Sequence, residues 1–227
     1  MRPPDPVVFL VDVDDTLLDN DRILQDVRDH VEQVCGPEAR DRYWQIVIRL
    51  FDELGYRDYL GALQLYRAEN PHDPRLFELA RFVIDYPFAD RLYPGALEAL
   101  ARFSQWATTT ALTDGDVVFQ PRKVERSGIW SAVDGKVMIY VHKEEELDDV
   151  ARRFPAEHYV LVDDKLRILT AIKQIWGSRV TTVFPRTGMY AHDPEVLAKY
   201  PAADVTVESV SELAGWSLDK ILKRSLT

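Results

Sequence analysis

Carboxylates crowd one short stretch near the start of the chain. Asp12, Asp14 and Asp15 lie within four positions of one another, directly after the apolar residues 7–11. That run of valine, phenylalanine and leucine predicts a strand buried on both faces. Ligands of open parallel sheets bind beyond the carboxyl ends of the strands, so these acids would face a crevice. A buried strand that ends in clustered charge indicates a site.

Three later strand-like runs also end in polar groups. Helical patterns separate the runs, and such alternation predicts a parallel sheet with helices on both faces. Because parallel strands end at one edge, these groups would converge on one crevice. The runs are residues 108–112, which precede Thr113 and Asp114, residues 137–141, which precede Lys143, and residues 159–162, which precede Asp163 and Asp164. Residues 180–184 and 204–207 are two further predicted strands.

Four of the converging carboxylates would repel one another if they were all ionised and close. They belong to Asp12, Asp14, Asp163 and Asp164. A hard divalent cation removes that conflict, and carboxylate oxygens together with water and a substrate phosphate are the usual environment of Mg²⁺. We therefore expect a Mg²⁺ site at this edge.

The remaining groups fit phosphoryl transfer. Lys143 would supply a fixed positive charge, and the Thr113 hydroxyl with the backbone from Asp114 onward would donate hydrogen bonds to phosphoryl oxygens. Asp12, at the strand end, is the candidate nucleophile that forms an aspartyl-phosphate. Asp14 would protonate the leaving oxygen and then activate water.

Composition limits the class of protein. The chain has 227 residues, 46% of them hydrophobic, and 28 basic against 38 acidic residues give a net charge of −10. This balance disfavours binding to nucleic acid or to an anionic membrane. Its single cysteine, Cys35, cannot form an internal disulfide, and no apolar run approaches the roughly 20 residues that span a bilayer. With no signal-peptide pattern at the N-terminus, we expect a cytoplasmic protein.

A helical segment interrupts the α/β pattern. Between residues 19 and 88, apolar side chains recur at helical spacing, and Gly36-Pro37 separates two of the stretches. Two predicted apolar faces are Trp44, Val47, Ile48 and Phe51, and Tyr59, Ala62, Leu63 and Tyr66. We expect a Rossmann-like α/β core domain, residues 1–18 and 89–227, with an inserted small α-helical cap domain, residues 19–88.

In this order the motifs resemble those of the haloacid dehalogenase superfamily of Mg²⁺-dependent hydrolases. Residues 12–17 look like its first motif, Asp-x-Asp-x-Thr, and the paired acids Asp163 and Asp164 look like its fourth. Thr113 stands for the second motif. Lys143 stands for the third, with Lys123 as the alternative. The inserted helices are similar in position to the family's first type of cap.

The resemblance implies roles for these residues. Asp12 would be nucleophile and metal ligand, the Asp14 backbone carbonyl another ligand, and Asp164 the last protein ligand with Asp163 close by. The family's dehalogenases, phosphonatases and ion pumps lack a carboxylate equivalent to Asp14, because their leaving groups need no such proton or must not be hydrolysed quickly. The resemblance therefore favours a phosphatase.

Each motif also has a structural alternative. Asp14, Asp15 and Thr16 could cap a helix, as could the later pair of aspartates, and Thr113 could begin a simple turn. The acidic residues 144–146 could complement a helix dipole, or could hold Lys143 away from a phosphate.

The function expected from the sequence is hydrolysis of a small phosphorylated metabolite through an aspartyl-phosphate on Asp12. A phosphomutase, a haloacid dehalogenase-type hydrolase and a catalytically silent binding module on the same fold are the alternatives.

Overall fold

A single parallel sheet organises the molecule. The computed structural model describes residues 5–223, and its six strands lie in the order β3-β2-β1-β4-β5-β6 with every neighbouring pair parallel. The strands are β1 (Asp5–Val11), β2 (Thr108–Asp114), β3 (Val137–Tyr140), β4 (Ala156–Val162), β5 (Val180–Pro185) and β6 (Val205–Val207). The predicted α/β class with a Rossmann-like parallel sheet is confirmed.

Helices cover both faces of the sheet and fill the segment after β1. Those of the long connection are α1 (Asn20–Cys35), α2 (Pro37–Leu54), α3 (Tyr59–Glu69) and α4 (Leu76–Ile84). Those between and after the later strands are α5 (Ala96–Trp106), α6 (Phe119–Arg126), α7 (Ile129–Ala132), α8 (Leu147–Arg153), α9 (Leu166–Trp176), α10 (Pro194–Lys199), α11 (Val210–Ala214) and α12 (Leu218–Lys223).

Alternate residues of β1 belong to opposite layers of the core. Phe9 and Val11 pack in the apolar cluster on one face of the sheet, while Val8 and Leu10 pack in the cluster on the other. All four side chains are fully buried, as expected of a central parallel strand. This position next to both β2 and β4 puts the end of β1 at the middle of the sheet edge.

The helices α1–α4 bury a third apolar cluster of their own. The predicted face of α3 is confirmed, since Tyr59, Ala62, Leu63 and Tyr66 are all buried. The predicted face of α2 is wrong at Ile48, which is 50% exposed. The buried residues of α2 are Tyr43, Ile46, Val47 and Leu50.

The third cluster includes one residue from outside the long connection. Phe119, at the start of α6, packs edge-on against Tyr59 and Phe88. Helix α6 thereby joins the helices α1–α4 to the sheet layers. The division into a core domain and a cap domain stays a prediction, and its positions 1–4 and 224–227 lie outside the described residues.

None of the helices within residues 5–223 combines the length and the apolar character that crossing a membrane would require.

Candidate active site

Asp12, Lys143 and Asp163, which follow β1, β3 and β4, come into contact at the carboxyl edge of the sheet. Lys143 Nζ lies 2.5 Å from Asp12 Oδ1 and 2.6 Å from Asp163 Oδ2. The ammonium also donates to the Leu112 carbonyl at 3.3 Å, and the Lys143 amide donates to Asp114 Oδ1 at 2.8 Å. Lys143 thus lies between the first and last acidic motifs, while the alternative, Lys123, contacts neither Asp12 nor Asp163.

Burial and the neighbouring charges together determine the pKa values of Lys143 and Asp12. Burial alone would lower the pKa of Lys143, but Asp12 and Asp163 raise it well above the usual value, so the amine stays protonated. Burial raises the pKa of Asp12 to about 6, and Lys143 opposes that shift. The Thr16 hydroxyl donates to the second oxygen, Asp12 Oδ2, at 3.1 Å. The carboxylate is therefore held through both oxygens.

Asp164 has a buried carboxyl group without a hydrogen-bond partner among the described residues. Its side chain is 0% exposed, and neither of its oxygens has a hydrogen-bond partner among residues 5–223. Burial raises its pKa well above the usual value, Lys165 lowers it, and Asp163 and Asp12 raise it further. An unpaired ionised carboxylate in the interior is costly. Its position indicates that a cation belongs here.

Three carboxylates form the donor set for such a cation. One oxygen each from Asp12, Asp163 and Asp164 lie within 4.8 Å of one another. Oxygen-only donors with open positions for water and a substrate are what Mg²⁺ prefers. The residues therefore fit Mg²⁺, with Asp12, Asp163 and Asp164 as side-chain ligands. Metal binding by the Asp14 backbone carbonyl stays a prediction.

Asp15 is structural in this fold. It adopts a left-handed backbone conformation with φ of 58°, and its Oδ1 accepts hydrogen bonds from the amides of Asn20 at 2.9 Å and Asp21 at 3.1 Å. Burial raises its pKa to about 7, and the Asp21 and Asp14 charges add to the shift. The N-cap of α1 is Asp19, so the capping alternative is wrong for Asp15, although the Asp15 carboxylate accepts hydrogen bonds from the first two amides of that helix.

The loop after β5 closes over Asp15. Thr187 donates its hydroxyl to the Asp15 carbonyl. Gly188 has φ of 71°, and a Cβ at that position would lie 2.6 Å from Asp15 Cβ.

We expect Gly188→Ala to lower the free energy of unfolding by about 2–3 kcal/mol, because it adds a clash to an unfavourable backbone conformation. Gly128→Ala is the matched control, since Gly128 also has a positive φ, 87°, but a Cβ there would make only an ordinary contact of 3.7 Å with Leu97 Cδ1. Chemical denaturation of the two variants measures the difference. Equal losses would contradict the close approach to Asp15.

The Asp14 carboxylate pairs with a different lysine from the one that pairs with Asp12. Lys123 Nζ lies 2.7 Å from Asp14 Oδ1 and donates to Asn20 Oδ1 at 3.1 Å. Gln120 Nε2 donates to Asp14 Oδ2 at 3.3 Å and to Thr113 Oγ1 at 2.9 Å. The Asp14 side chain is 21% exposed, against 4% for Asp12. The two aspartates therefore have separate partners and separate access to solvent.

Thr113 and Asp114, the predicted phosphate-binding residues, differ in what they offer. The Thr113 hydroxyl is buried and accepts from Gln120, which leaves its proton for another acceptor; the nearest is the Asp114 carbonyl, at 3.4 Å. The Asp114 carboxylate holds the Lys143 amide, so that side chain supports the lysine loop. Phosphate contact by the Asp114 backbone stays a prediction.

The acidic residues after Lys143 do not hold it away from the site. The Glu144 carboxylate pairs with the guanidinium of Arg167 on α9. Residues Lys143–Glu145 form one turn of 3₁₀-helix rather than the start of an α-helix. Lys143 is consequently free to engage Asp12 and Asp163.

A cavity of about 260 Å³ lies between the helical segment and the sheet edge. Asp12 and Lys143, both almost fully buried, are not part of its wall. The helical segment contributes Asn20, Phe51, Gly55, Tyr56, Arg57 and Tyr59, and the sheet edge with its following helices contributes Asp14, Asp15, Asp114, Phe119, Gln120, Lys123, Lys165 and Arg167, among others. Of the two candidate catalytic acids of the first motif, Asp14 is thus the one that borders this space.

Sequence reasoning missed the residues that support the motifs. Gln120 and Asn20 were not singled out, and Lys123 appeared only as an alternative. Gln120 and Lys123 are three positions apart on α6, so they lie on one helix face, but nothing in the sequence shows that this face meets Asp14. Only the packing of α6 supplies that information.

The fold and site define a parallel α/β protein with a buried carboxylate cluster at the carboxyl edge of the sheet. A haloacid dehalogenase-like hydrolase from Burkholderia xenovorans LB400 is 56% identical, has a TM-score of 0.90, and matches over 94% of this chain and 100% of that one. The chain belongs to the haloacid dehalogenase-like hydrolase family. The resemblance expected from the motifs is confirmed.

Two more distant structures share the fold. An L-2-haloacid dehalogenase from Xanthobacter autotrophicus is 17% identical with a TM-score of 0.58, over 91% of this chain and 96% of that one. A magnesium-bound HAD-hydrolase from Bacillus subtilis is 19% identical with a TM-score of 0.60, over 96% and 98%. No family model and no curated protein matches the chain.

Proposed function

We propose that this hydrolase is a Mg²⁺-dependent phosphatase that removes the phosphoryl group of a small phosphate ester through an aspartyl-phosphate on Asp12. One observation carries the proposal. A second carboxylate, Asp14, stands on the cavity wall two residues after Asp12, with partners of its own. A leaving alkoxide needs a proton and a leaving halide does not, so a carboxylic acid at this position serves ester hydrolysis.

The residues divide the reaction between them. The Asp12 carboxylate attacks phosphorus, and Lys143 with the Thr113 hydroxyl offsets charge on the phosphoryl oxygens. Asp14 gives its proton to the leaving oxygen, then takes one from the water that hydrolyses the aspartyl-phosphate. Lys123 and Gln120 orient Asp14 for both steps. Mg²⁺, held by Asp12, Asp163 and Asp164, would neutralise the crowded carboxylates and polarise the phosphoryl group.

The test compares two reactions of the purified protein. Phosphate release from a panel of phosphate monoesters, including an aryl phosphate, is measured with Mg²⁺ and with a chelator. Halide release from L-2-chloropropionate is measured in parallel. We expect Mg²⁺-dependent phosphate release and no halide release. Halide release alone would establish the dehalogenase alternative. Transfer of the phosphoryl group to a second hydroxyl in preference to water would establish a mutase. Absence of turnover with every substrate would establish a silent binding module.

Asp14→Asn tests the acid directly. We expect kcat/KM for an alkyl phosphate to fall about 100- to 1000-fold, the scale of general acid–base catalysis. The leaving group of an aryl phosphate, a phenolate, depends less on protonation. Formation of the aspartyl-phosphate from an aryl phosphate should therefore slow much less in this variant. Burst kinetics with the aryl ester separate that step from the slowed hydrolysis. Asp116→Asn is the control, since Asp116 also lines the cavity but caps the start of α6 through the amides of Val118 and Phe119. Equal losses with both esters would contradict the role of Asp14 as an acid.

A further inference from the structure

Among the described residues, the cavity wall carries one guanidinium that makes no ion pair. The wall has four basic side chains. Lys123 pairs with Asp14, and Arg167 pairs with Glu144. Lys165 is half-buried and makes no ion pair within residues 5–223, but the charges of Asp164 and Asp12 raise its pKa against the opposing effect of burial. Arg57 is left with no hydrogen bond or ion pair to any of residues 5–223.

Arg57 is held in place rather than extended into solvent. It belongs to the loop between α2 and α3, and its guanidinium lies 5.1 Å from the centroid of the Phe51 ring. The side chain is half-buried. An arginine stacked on an aromatic ring is oriented in advance, so that less conformational entropy is lost when its planar fork binds an oxyanion.

A second donor without a partner lies on the same wall. The Tyr59 hydroxyl is buried and has no hydrogen-bond partner among the described residues. Burial raises the pKa of this hydroxyl, the Arg57 charge opposes that shift and the Asp14 charge adds to it, so the hydroxyl stays protonated. A buried unsatisfied donor destabilises a protein unless a ligand accepts from it.

We propose that Arg57, assisted by Tyr59, forms a second anion subsite that selects phosphate esters whose organic part bears a carboxylate. This inference rests on the proposed phosphatase function. The charge count favours a carboxylate over a second phosphate, because one unpaired guanidinium matches one negative charge and Asp14, Asp15, Asp114 and Asp116 also line the cavity. The cavity volume of about 260 Å³ suits a small ester, such as a phosphorylated hydroxy acid of a few carbon atoms.

The experiment compares two esters of the same size. 3-Phosphoglycerate carries a carboxylate where glycerol 3-phosphate carries a neutral hydroxymethyl group. With Mg²⁺, we expect kcat/KM to be at least about tenfold higher for 3-phosphoglycerate, the scale of one charged hydrogen bond. Equal values would overturn the subsite and leave the phosphatase intact. A higher kcat/KM for a three-carbon bisphosphate would overturn the carboxylate assignment. Hydrolysis of none of these esters, nor of the aryl phosphate, would instead count against the phosphatase.

Arg57→Gln identifies the residue responsible. We expect it to lower kcat/KM for 3-phosphoglycerate about 10- to 100-fold, chiefly through KM, and to leave glycerol 3-phosphate unchanged. Arg57→Lys should restore part of the preference, because it keeps the charge and loses the fork. The matched control is Arg28→Gln, since Arg28 stacks over Trp44 on the same group of helices, 5.6 Å from the ring centroid, and is not part of the cavity wall. Equal effects of both Gln variants, or equal loss with both esters, would overturn the proposal.

Tyr59→Phe separates ligand binding by the Tyr59 hydroxyl from packing of the Tyr59 ring. It keeps the ring that packs on Phe119 and removes only the unpartnered hydroxyl. We expect a higher thermal stability of the ligand-free protein, because an unsatisfied buried donor is removed, and a loss of several-fold in kcat/KM confined to 3-phosphoglycerate. An unchanged preference between the two esters would remove Tyr59 from the subsite.

Discussion

Replacing Asp12 by asparagine should abolish phosphate release. An amide cannot form the aspartyl-phosphate, and losing a catalytic nucleophile typically lowers kcat by about 10⁴-fold or more. The fold should survive, since Lys143 keeps Asp163 as an ion-pair partner and the carboxylate cluster loses one charge. Phosphate release and thermal unfolding, measured on the same preparation, check both expectations.

Asp26→Asn is the control for loss of a carboxylate elsewhere. Asp26 accepts from Arg91 and Tyr86 in the helical segment and has no contact with Asp12. We expect a loss of about 1 kcal/mol in stability with full activity, the reverse of the Asp12→Asn pattern. Retained turnover in Asp12→Asn would rule out the covalent mechanism.

Asp164→Asn should stabilise the metal-free protein and remove its response to Mg²⁺. The raised pKa of the folded carboxyl means that Asp164 lowers stability as pH rises from about 4, the usual value, towards the folded pKa. A neutral amide removes that loss, so at pH 7 the metal-free variant should gain about 1–3 kcal/mol. Added Mg²⁺ should raise the melting temperature of the wild type and not that of the variant.

Asp163→Asn should change the stability of the metal-free protein in the opposite direction. Asp163 pairs with Lys143 and accepts from the Lys165 amide at 2.8 Å, so its loss leaves a buried ammonium with one partner fewer. We expect this variant to be less stable than the wild type without metal. If both variants shift stability in the same direction, Asp164 is not the uncompensated member of the cluster.

The sheet could be predicted because its strands are apolar runs with clear ends. All six predicted runs correspond to observed strands, with differences of a few residues at the ends.

The buried faces of the helices were harder to predict from the sequence. The pattern that begins at Trp44 also fits a face that begins at Tyr43, and the structure buries the latter since α1 and α3 approach from that side. Ile175 of α9 shares the helical spacing of the buried Ile168 and Ile172 but is itself 63% exposed.

For the site, sequence reasoning found the residues directly after strand ends and missed those that other elements contribute. The contact of Lys143 with Asp12 and Asp163 is a consequence of parallel topology. Arg57 and Tyr59 come from the helical segment, whose placement depends on tertiary packing that spacing does not encode. The contacts of Asp15 with the amides of Asn20 and Asp21 could not be predicted either, because they depend on the left-handed turn between β1 and α1.

Helix α6 touches both halves of the molecule with different side chains. Phe119 packs among the buried rings of α1–α4, while Gln120 and Lys123 hold the Asp14 carboxylate. Because both sets of contacts come from one short helix, the packing of Phe119 and the position of the two donors to Asp14 depend on each other. A displacement of the helical segment that repacked Phe119 would therefore also move Gln120 and Lys123 relative to Asp14.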